Sequence, residues 1–136
     1  MSSQQVSKKC YYCNILKNTN DFYKASHHKD GLASYCKNCF NKKCMKRWVQ
    51  RKIKCVQFVG SECTDCKLTL KNSHYSVFDF HHLDKNKKDF DWSKMRLQSW
   101  NIIYKKLTKY ILLCSNCHRI RHSKEDLTFP EQQESQ

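Results

Sequence analysis

Residues 110–122 have the sequence YILLCSNCHRIRH, in which an apolar run leads directly into metal-binding side chains. Cys114 and Cys117 form a Cys-x-x-Cys pair, and His118 and His122 follow it. A spacing of four residues places both histidines on one side of a helix. The stretch therefore predicts a strand, a cysteine turn that opens a helix, and two histidines that project together from that helix.

Residues 77–90 have the sequence VFDFHHLDKNKKDF and carry the second half of the pattern. Bulky apolar residues favour a strand that ends at the adjacent pair His81 and His82, with Tyr110–Leu113 as its partner strand. Asp79 lies two positions before His81, so the two side chains share one face of that strand. The two stretches together predict a hairpin and a helix that bring histidines close to one another.

Eight of the ten cysteines fall into pairs with two intervening residues, a spacing that lets a tight turn aim both sulfur atoms at one ion. Four such pairs predict two structural zinc sites; the alternative is a disulfide framework. No signal-peptide pattern is present, which favours metal-bound thiols in a cytoplasmic, non-secreted protein. Cys44 and Cys55 are left over as one buried and one free thiol. The four pairs are Cys10 and Cys13, Cys36 and Cys39, Cys63 and Cys66, and Cys114 and Cys117.

The order of these pairs predicts a small, zinc-stabilised α+β protein with two treble-clef-like modules, each with a cysteine knuckle, a hairpin and a helix. Residues 1–40 form the first zinc module, and residues 41–60 form a basic connecting helix. Residues 61–124 form the second, zinc-containing domain with the histidines; Ser93 and Ser99 are candidate N-caps of helices within it. Residues 125–136 are acidic and rich in glutamine, which is typical of a disordered tail.

The connecting helix has apolar residues at three- and four-residue steps between Asn41 and Val59, and Gly60 is a plausible stop. Basic residues fill much of the remaining surface, including Lys46, Arg47, Arg51 and Lys54. Two interpretations stay open: a solvated amphipathic linker, or a face that follows a phosphate backbone. The apolar positions are Met45, Trp48, Val49, Ile53 and Val56.

The formal net charge of the chain is +14. Eight thiolates and two zinc ions would subtract four charges, which leaves about +10. An excess of this size favours a polyanionic partner, because lysine and arginine release counterions from phosphates. No apolar run is long enough to cross a membrane.

The histidine and cysteine pattern resembles the HNH, or ββα-metal, endonucleases, in which a hairpin and a helix hold one divalent ion against the scissile phosphate. The resemblance implies that His81 and His118 bind the ion and that His82 is the general base. It implies an ion or phosphate contact for His122, as in the colicin-type DNases, and Asp79 could orient a metal-binding histidine. Since neighbours on a strand face opposite sides, His81 and His82 can serve one site only if the strand ends or twists there.

The resemblance covers about half of the chain, residues 55–124. The leading segment KKCYYCNILKNTNDFYK resembles the zinc module that precedes such domains in phage-type proteins. One departure concerns the middle asparagine of the family name, because Lys109 or Tyr110 stands where it would fall. Bracing of the loop by another group, or weakened activity, are the two possible consequences.

The resemblance implies metal-dependent hydrolysis of DNA to 5′-phosphate and 3′-hydroxyl ends, with Mg²⁺, Mn²⁺, Ni²⁺ or Zn²⁺ as candidate ions. We expect duplex DNA to be the substrate. A zinc-dependent nucleic-acid-binding module without cleavage is the alternative, and RNA or branched DNA is a further possible substrate. The enzyme would act as a monomer or homodimer in the cytoplasm, which is the host cytoplasm if a phage encodes it.

Overall fold

The protein is a small α+β molecule with short antiparallel sheets. The chain divides into two compact units, Met1–Val49 and Gln50–Gln136, called here the first and the second unit. The computed structural model describes residues 6–84, 86–87 and 91–125.

Two short hairpins and the start of a long helix build the first unit. Strand β1 (Ser7–Lys9) pairs with β2 (Leu16–Asn18), and β3 (Phe22–Lys24) pairs with β4 (Leu32–Cys36), both antiparallel. Helix α1 (Lys37–Val59) follows β4 without a loop and continues into the second unit. A cysteine pair therefore lies at the junction of a strand and a helix.

One hairpin and three further helices build the second unit. Strand β5 (Phe78–His82) pairs antiparallel with β6 (Tyr110–Cys114) without a break in register. Helices α2 (Trp92–Met95) and α3 (Trp100–Leu107) lie between these strands in sequence. Helix α4 (Ser115–Glu125) begins directly after β6. Both predicted strands and the helical turn at their end are confirmed.

The first cysteine pair of each unit forms the same tight turn. The amide of Cys10 donates to the carbonyl five positions later at 3.0 Å, and that of Cys63 does so at 2.8 Å. The amides of Asn14 and Lys67 donate back to the carbonyl of these cysteines, at 2.9 and 3.0 Å. Asn14 and Lys67 both have positive φ, 57° and 64°, a conformation that side-chain-bearing residues adopt at a cost. The repeated geometry indicates two knuckles of one design.

The two units differ in the size of their apolar core. The buried cluster of the first unit consists of Cys10, Phe22 and Cys36 alone among the described residues. A cluster this small cannot offset the conformational entropy of folding, so a bound metal would have to contribute much of the stability. The larger core of the second unit contains Cys55, Val56, Cys63, Phe78, Phe80, Met95, Ile103, Leu107, Leu112, Leu113 and Cys114.

Three local predictions need correction. Helix α1 begins at Lys37, four residues before the predicted start, and Met45 on its expected apolar face is 60% exposed. Burial in α1 is confined to Cys55 and Val56, because only the end of the helix packs against the core of the second unit. Ser93 does not cap α2; Asp91 is the cap, because its carboxylate accepts a hydrogen bond from the Ser93 amide at 3.0 Å.

In the described part of the chain, no helix combines the length and the hydropathy that crossing a bilayer requires. The acidic tail predicted for residues 125–136 lies, from residue 126 onward, outside the described residues.

Candidate functional site

Two groups of four cysteines lie with their sulfur atoms close together. Within each group all Sγ atoms lie within 4.8 Å of one another. In the second group, Sγ of Cys66 lies 3.7 Å from Sγ of Cys114. Four sulfur atoms at about 2.3 Å around a tetrahedral zinc ion lie about 3.8 Å apart, whereas a disulfide requires about 2.05 Å. Both groups could hold zinc. The first four-cysteine cluster is Cys10, Cys13, Cys36 and Cys39, and the second is Cys63, Cys66, Cys114 and Cys117.

Backbone amides point at the cysteine sulfurs. The amide of Cys36 donates to Sγ of Cys10 at 3.3 Å, and the amide of Cys117 donates to Sγ of Cys114 at 3.5 Å. Burial tends to raise the pKa of Cys10, but amide donors outweigh it and lower this pKa to about 6. The same balance lowers the pKa of Cys63 to about 7. Each cluster thus has one thiol that ionises readily, and a thiolate is the form that binds a metal.

An ion pair connects the second knuckle to helix α4. The guanidinium of Arg121 donates to both carboxylate oxygens of Asp65, from Nε at 2.8 Å and from a terminal nitrogen at 2.5 Å. This hydrogen bonding raises the pKa of Arg121. Since Asp65 lies between Cys63 and Cys66, the pair helps to fix the knuckle against the helix that carries the histidines.

Three imidazoles converge at the end of the second unit. His81 comes from β5, while His118 and His122 come from α4, and their nearest ring nitrogens all lie within 4.8 Å of one another. Nε2 of His118 lies 3.1 Å from Nε2 of His122. Nitrogen ligands at 2.0–2.1 Å around one tetrahedral ion lie about 3.3–3.4 Å apart, so the spacing fits a single divalent cation. We call these three residues the histidine cluster.

The histidine cluster is open on one side. His81 is buried, with 7% of its surface exposed, whereas His122 is an exposed residue of the helix surface. The three histidines are one ligand fewer than the four that a closed structural zinc site uses.

The carboxylate of Asp79 contacts one member of the histidine cluster. Its Oδ2 accepts a hydrogen bond from Nδ1 of His118 at 3.1 Å. A proton held on Nδ1 puts the lone pair of the neutral His118 ring on Nε2, the nitrogen that faces His122 in the cluster. The sequence predicted that Asp79 could orient a metal-binding histidine but did not identify which one. In the structure, the hydrogen-bond partner of Asp79 is His118 on helix α4.

His82 lies outside the histidine cluster. It is the last residue of β5, still in register with Tyr110, and its ring packs edge-on against the Tyr110 ring with centroids 4.7 Å apart. Nδ1 of His82 accepts the amide N–H of Asp84 at 2.8 Å. The regular pairing keeps His81 and His82 on opposite faces up to the end of the strand.

Backbone contacts brace the loop after His82. The amide of Leu83 donates to the carbonyl of Lys109 at 3.0 Å, and the side chain of Asp84 accepts the amide of Asn86 at 3.0 Å. Lys109 is one of the two residues at the position where the HNH pattern has its asparagine. The main-chain carbonyl of Lys109, the residue before β6, therefore holds the start of this loop next to that strand.

Two basic residues of α1 make contacts that the sequence did not predict. Lys52 on α1 is partly buried; desolvation lowers its pKa, and the nearby carboxylate of Asp79 opposes that shift. Arg51 was a candidate for the phosphate-following face, one of the two interpretations of this helix, and in the structure it donates to the backbone carbonyls of Arg96 and Gln98. Its guanidinium also lies 4.6 Å from the centroid of the Trp100 ring. Arg51 therefore holds the α2–α3 segment against α1, a role that only the packed structure reveals.

Comparisons of the chain with protein-family models, with curated proteins and with solved structures found no significant match.

Proposed function

We propose that the second unit is an HNH-type endonuclease that hydrolyses DNA with one divalent ion, and that both four-cysteine clusters are structural zinc sites. The observation that carries the proposal is the histidine cluster with the Asp79 carboxylate behind His118. The second four-cysteine cluster anchors both β6 and α4, the elements that surround the histidines. In this proposal β5, β6 and α4 form the ββα-metal core.

The donor set suits the ion that the proposal requires. Three neutral imidazoles accept Mn²⁺, Ni²⁺ or Zn²⁺ readily, while Mg²⁺ prefers oxygen ligands and would rely on water and phosphate for the rest. When bound, such an ion would stabilise negative charge on the phosphate and on the leaving 3′ oxygen. His81, His118 and His122 would hold it, and Asp79 would keep His118 in the binding tautomer.

His82 is the proposed general base, and its surroundings set a condition. While Nδ1 accepts the Asp84 amide, a neutral His82 ring carries its proton on Nε2. To accept a proton from the attacking water at Nδ1, the ring must release that amide. One such hydrogen bond contributes about 0.5–1.5 kcal/mol. General base catalysis raises the rate about 10²- to 10⁴-fold, which corresponds to about 2.7–5.4 kcal/mol, so the cost of releasing the amide is smaller than the gain.

Charge favours DNA as the partner. The chain has 26 lysine and arginine residues against 12 acidic residues, and it keeps a surplus of about +10 after two zinc sites are counted. Duplex DNA presents a dense array of phosphates, so association should be strong at low salt and should weaken steeply as salt rises. The resemblance implies products with 5′-phosphate and 3′-hydroxyl ends.

The decisive experiment measures nicking of supercoiled plasmid with added Mg²⁺, Mn²⁺ or Ni²⁺, beside metal binding by calorimetry. His82→Ala should lose about 10²- to 10⁴-fold in rate and keep its affinity for the metal. His81→Ala and His118→Ala should bind metal more weakly, with partial rescue by raised Mn²⁺. His74→Ala serves as the matched control, because His74 lies outside the cluster and bonds only its own turn.

Other results would reject parts of this proposal. Full activity of His81→Ala, His82→Ala and His118→Ala together would place the nuclease site elsewhere. Loss of the metal by His82→Ala, with retention by His81→Ala, would exchange the two assignments. His74→Ala should nick plasmid at the wild-type rate. A loss of activity in this control would mean that the losses in the other variants are not specific to the histidine site. EDTA must abolish cleavage, and a divalent metal must restore it while both zinc ions stay bound.

A zinc-dependent binding module without cleavage is the second candidate. The placement of His82 favours it, because this side chain lies outside the cluster and its Nδ1 is engaged by the Asp84 amide. A non-catalytic module would bind DNA with the same salt dependence in the wild type and in His82→Ala. It would nick no substrate with any metal, and that outcome would replace the leading proposal.

A further inference from the structure

Three tyrosines of the first unit form an exposed aromatic surface beside the first four-cysteine cluster. Tyr11 and Tyr12 occupy the two positions between Cys10 and Cys13, and 77% and 69% of their surfaces are exposed. Their rings lie 6.1 and 6.3 Å from the ring of Tyr35. We call Tyr11, Tyr12 and Tyr35 the tyrosine patch.

The tyrosine patch has a fixed base and exposed outer rings. Tyr35 is partly buried and packs against the small core of the first unit. The amide of Tyr11 donates to the carbonyl of Ser34 at 2.9 Å, which fastens the knuckle to β4. The exposed rings of Tyr11 and Tyr12 gain little from burial, and exposed aromatic clusters of this kind mark interaction surfaces.

The positive charge of the first unit favours an anionic partner. Residues 6–49 contain ten lysine and arginine residues but only two acidic ones, Asp21 and Asp30. Asp30 is already engaged by Lys8 at 2.5 Å. The ammonium of Lys43 lies 4.6 Å from the centroid of the Tyr35 ring, at the edge of the patch. Aromatic rings with a lysine beside them, on a unit with a strong positive charge, match a strand with planar bases and a phosphate backbone.

The aromatic group of the second unit is built differently. Trp100 and Tyr104 stack on each other at 5.2 Å with an angle of 20°, and Arg51 lies over the Trp100 ring. Those ring faces are already in contact with protein. The tyrosine patch is the better candidate for contact with a ligand because its outer rings touch Tyr35 only at an edge or at a tilt.

We infer that the first unit binds unpaired DNA by stacking bases on the tyrosine patch while Lys43 contacts the backbone. The choice of DNA over RNA rests on the proposed function, since both units would then act on one molecule; the stacking itself does not depend on cleavage. Stacking needs unpaired bases, because the faces of paired bases inside a duplex are covered by their neighbours.

The test measures binding of the full chain to fluorescent oligonucleotides by anisotropy, without added divalent metal. The probes are a thymidine oligonucleotide and an abasic strand of equal length that keeps the phosphates. Tyr11→Ala with Tyr12→Ala should weaken binding to the thymidine strand about tenfold or more, because each stacked base contributes strongly to affinity. Binding to the abasic strand should change by less than about twofold, since its phosphates remain.

Matched variants separate stacking from other roles of the tyrosines. Replacing both tyrosines by phenylalanine should keep thymidine binding close to that of the wild type, since the rings remain. Ile15→Ala with Leu16→Ala, which removes two exposed apolar side chains of the same unit, should leave it unchanged. Zinc content is measured for every variant, and each must keep the wild-type value to be compared.

Several results would overturn the inference. Equal losses for the thymidine and abasic strands would show that the tyrosines act on charge or folding. An unchanged thymidine affinity in the alanine variant would remove the patch from the interface, and tighter binding to an RNA of the same length would reject DNA as the partner. Because only binding is read out and the histidines stay intact, absence of nicking would count against the proposed nuclease and not against this interface.

Discussion

Replacing Asp79 by alanine should weaken metal binding at the histidine cluster while both zinc ions stay bound. The carboxylate accepts the hydrogen bond of His118 at 3.1 Å and so holds the ring in the tautomer that exposes Nε2. Hydrogen bonds to charged groups contribute about 1.5–3 kcal/mol. The side chain of Asp79 is 38% exposed, and water screens the interaction, so the lower half of that range applies.

A loss of about 1.5–2 kcal/mol corresponds to about a 10- to 30-fold weaker affinity for the metal. That range falls within the about 10- to 100-fold effect usual for groups that orient a metal-binding histidine. Asp79→Asn keeps an acceptor oxygen but loses the charge, so its loss should be smaller, about fivefold. The order wild type, asparagine, alanine is therefore part of the prediction.

Calorimetric titration of the zinc-loaded protein with Ni²⁺ or Mn²⁺ measures the effect. Asp84→Asn is the matched control, because it removes one negative charge nearby while its amide still donates to His82. Asp79 also lies close enough to Lys52 to oppose the fall in its pKa, so a thermal melt must show that the variants stay folded. Equal affinity in wild type and Asp79→Ala would refute the orienting role, and an equal loss in Asp84→Asn would reduce it to a general charge effect.

Three further predictions concern the thiols and the basic helix. Cys55→Ser should keep both zinc ions but destabilise the second unit by about 1–3 kcal/mol, because Cys55 is fully buried in an apolar core and a hydroxyl there must be desolvated. Cys44→Ser, at a partly exposed position, should keep both zinc ions and most of the stability, and chemical unfolding beside zinc analysis checks both variants. Acidification should release zinc, because protons compete with the ion for all four thiolates of each cluster; the lowered pKa of Cys10 moves that competition toward lower pH. A zinc-sensitive dye that reports no release between pH 7 and pH 5 would contradict this. Neutralising Lys46 and Arg47, both exposed, should reduce the slope of log affinity for duplex DNA against log salt by up to about 2, and an unchanged slope would identify α1 as a spacer.

The sequence by itself determined the local ligand geometry. Cysteines two residues apart, and histidines four apart on a helix, have their relative positions set by a few backbone angles, so any stable fold would bring them together in pairs. The strands that carry His81 and precede Cys114 follow from apolar patterning for the same reason. The four cysteine pairs and the pair His118 and His122 were therefore predictable before any packing was known, whereas their assembly into clusters was a hypothesis about distant segments.

Only the tertiary structure decided which distant groups meet. Contact between Asp79 and His118 depends on how α4 packs on the hairpin, and the separate position of His82 depends on strand register up to its last residue. Arg51 donates to the carbonyls of Arg96 and Gln98, which lie between α2 and α3, and a pattern of charges in the sequence cannot reveal that contact. Such contacts are decided by small differences between many packing and desolvation energies along the whole chain, and no local spacing encodes them.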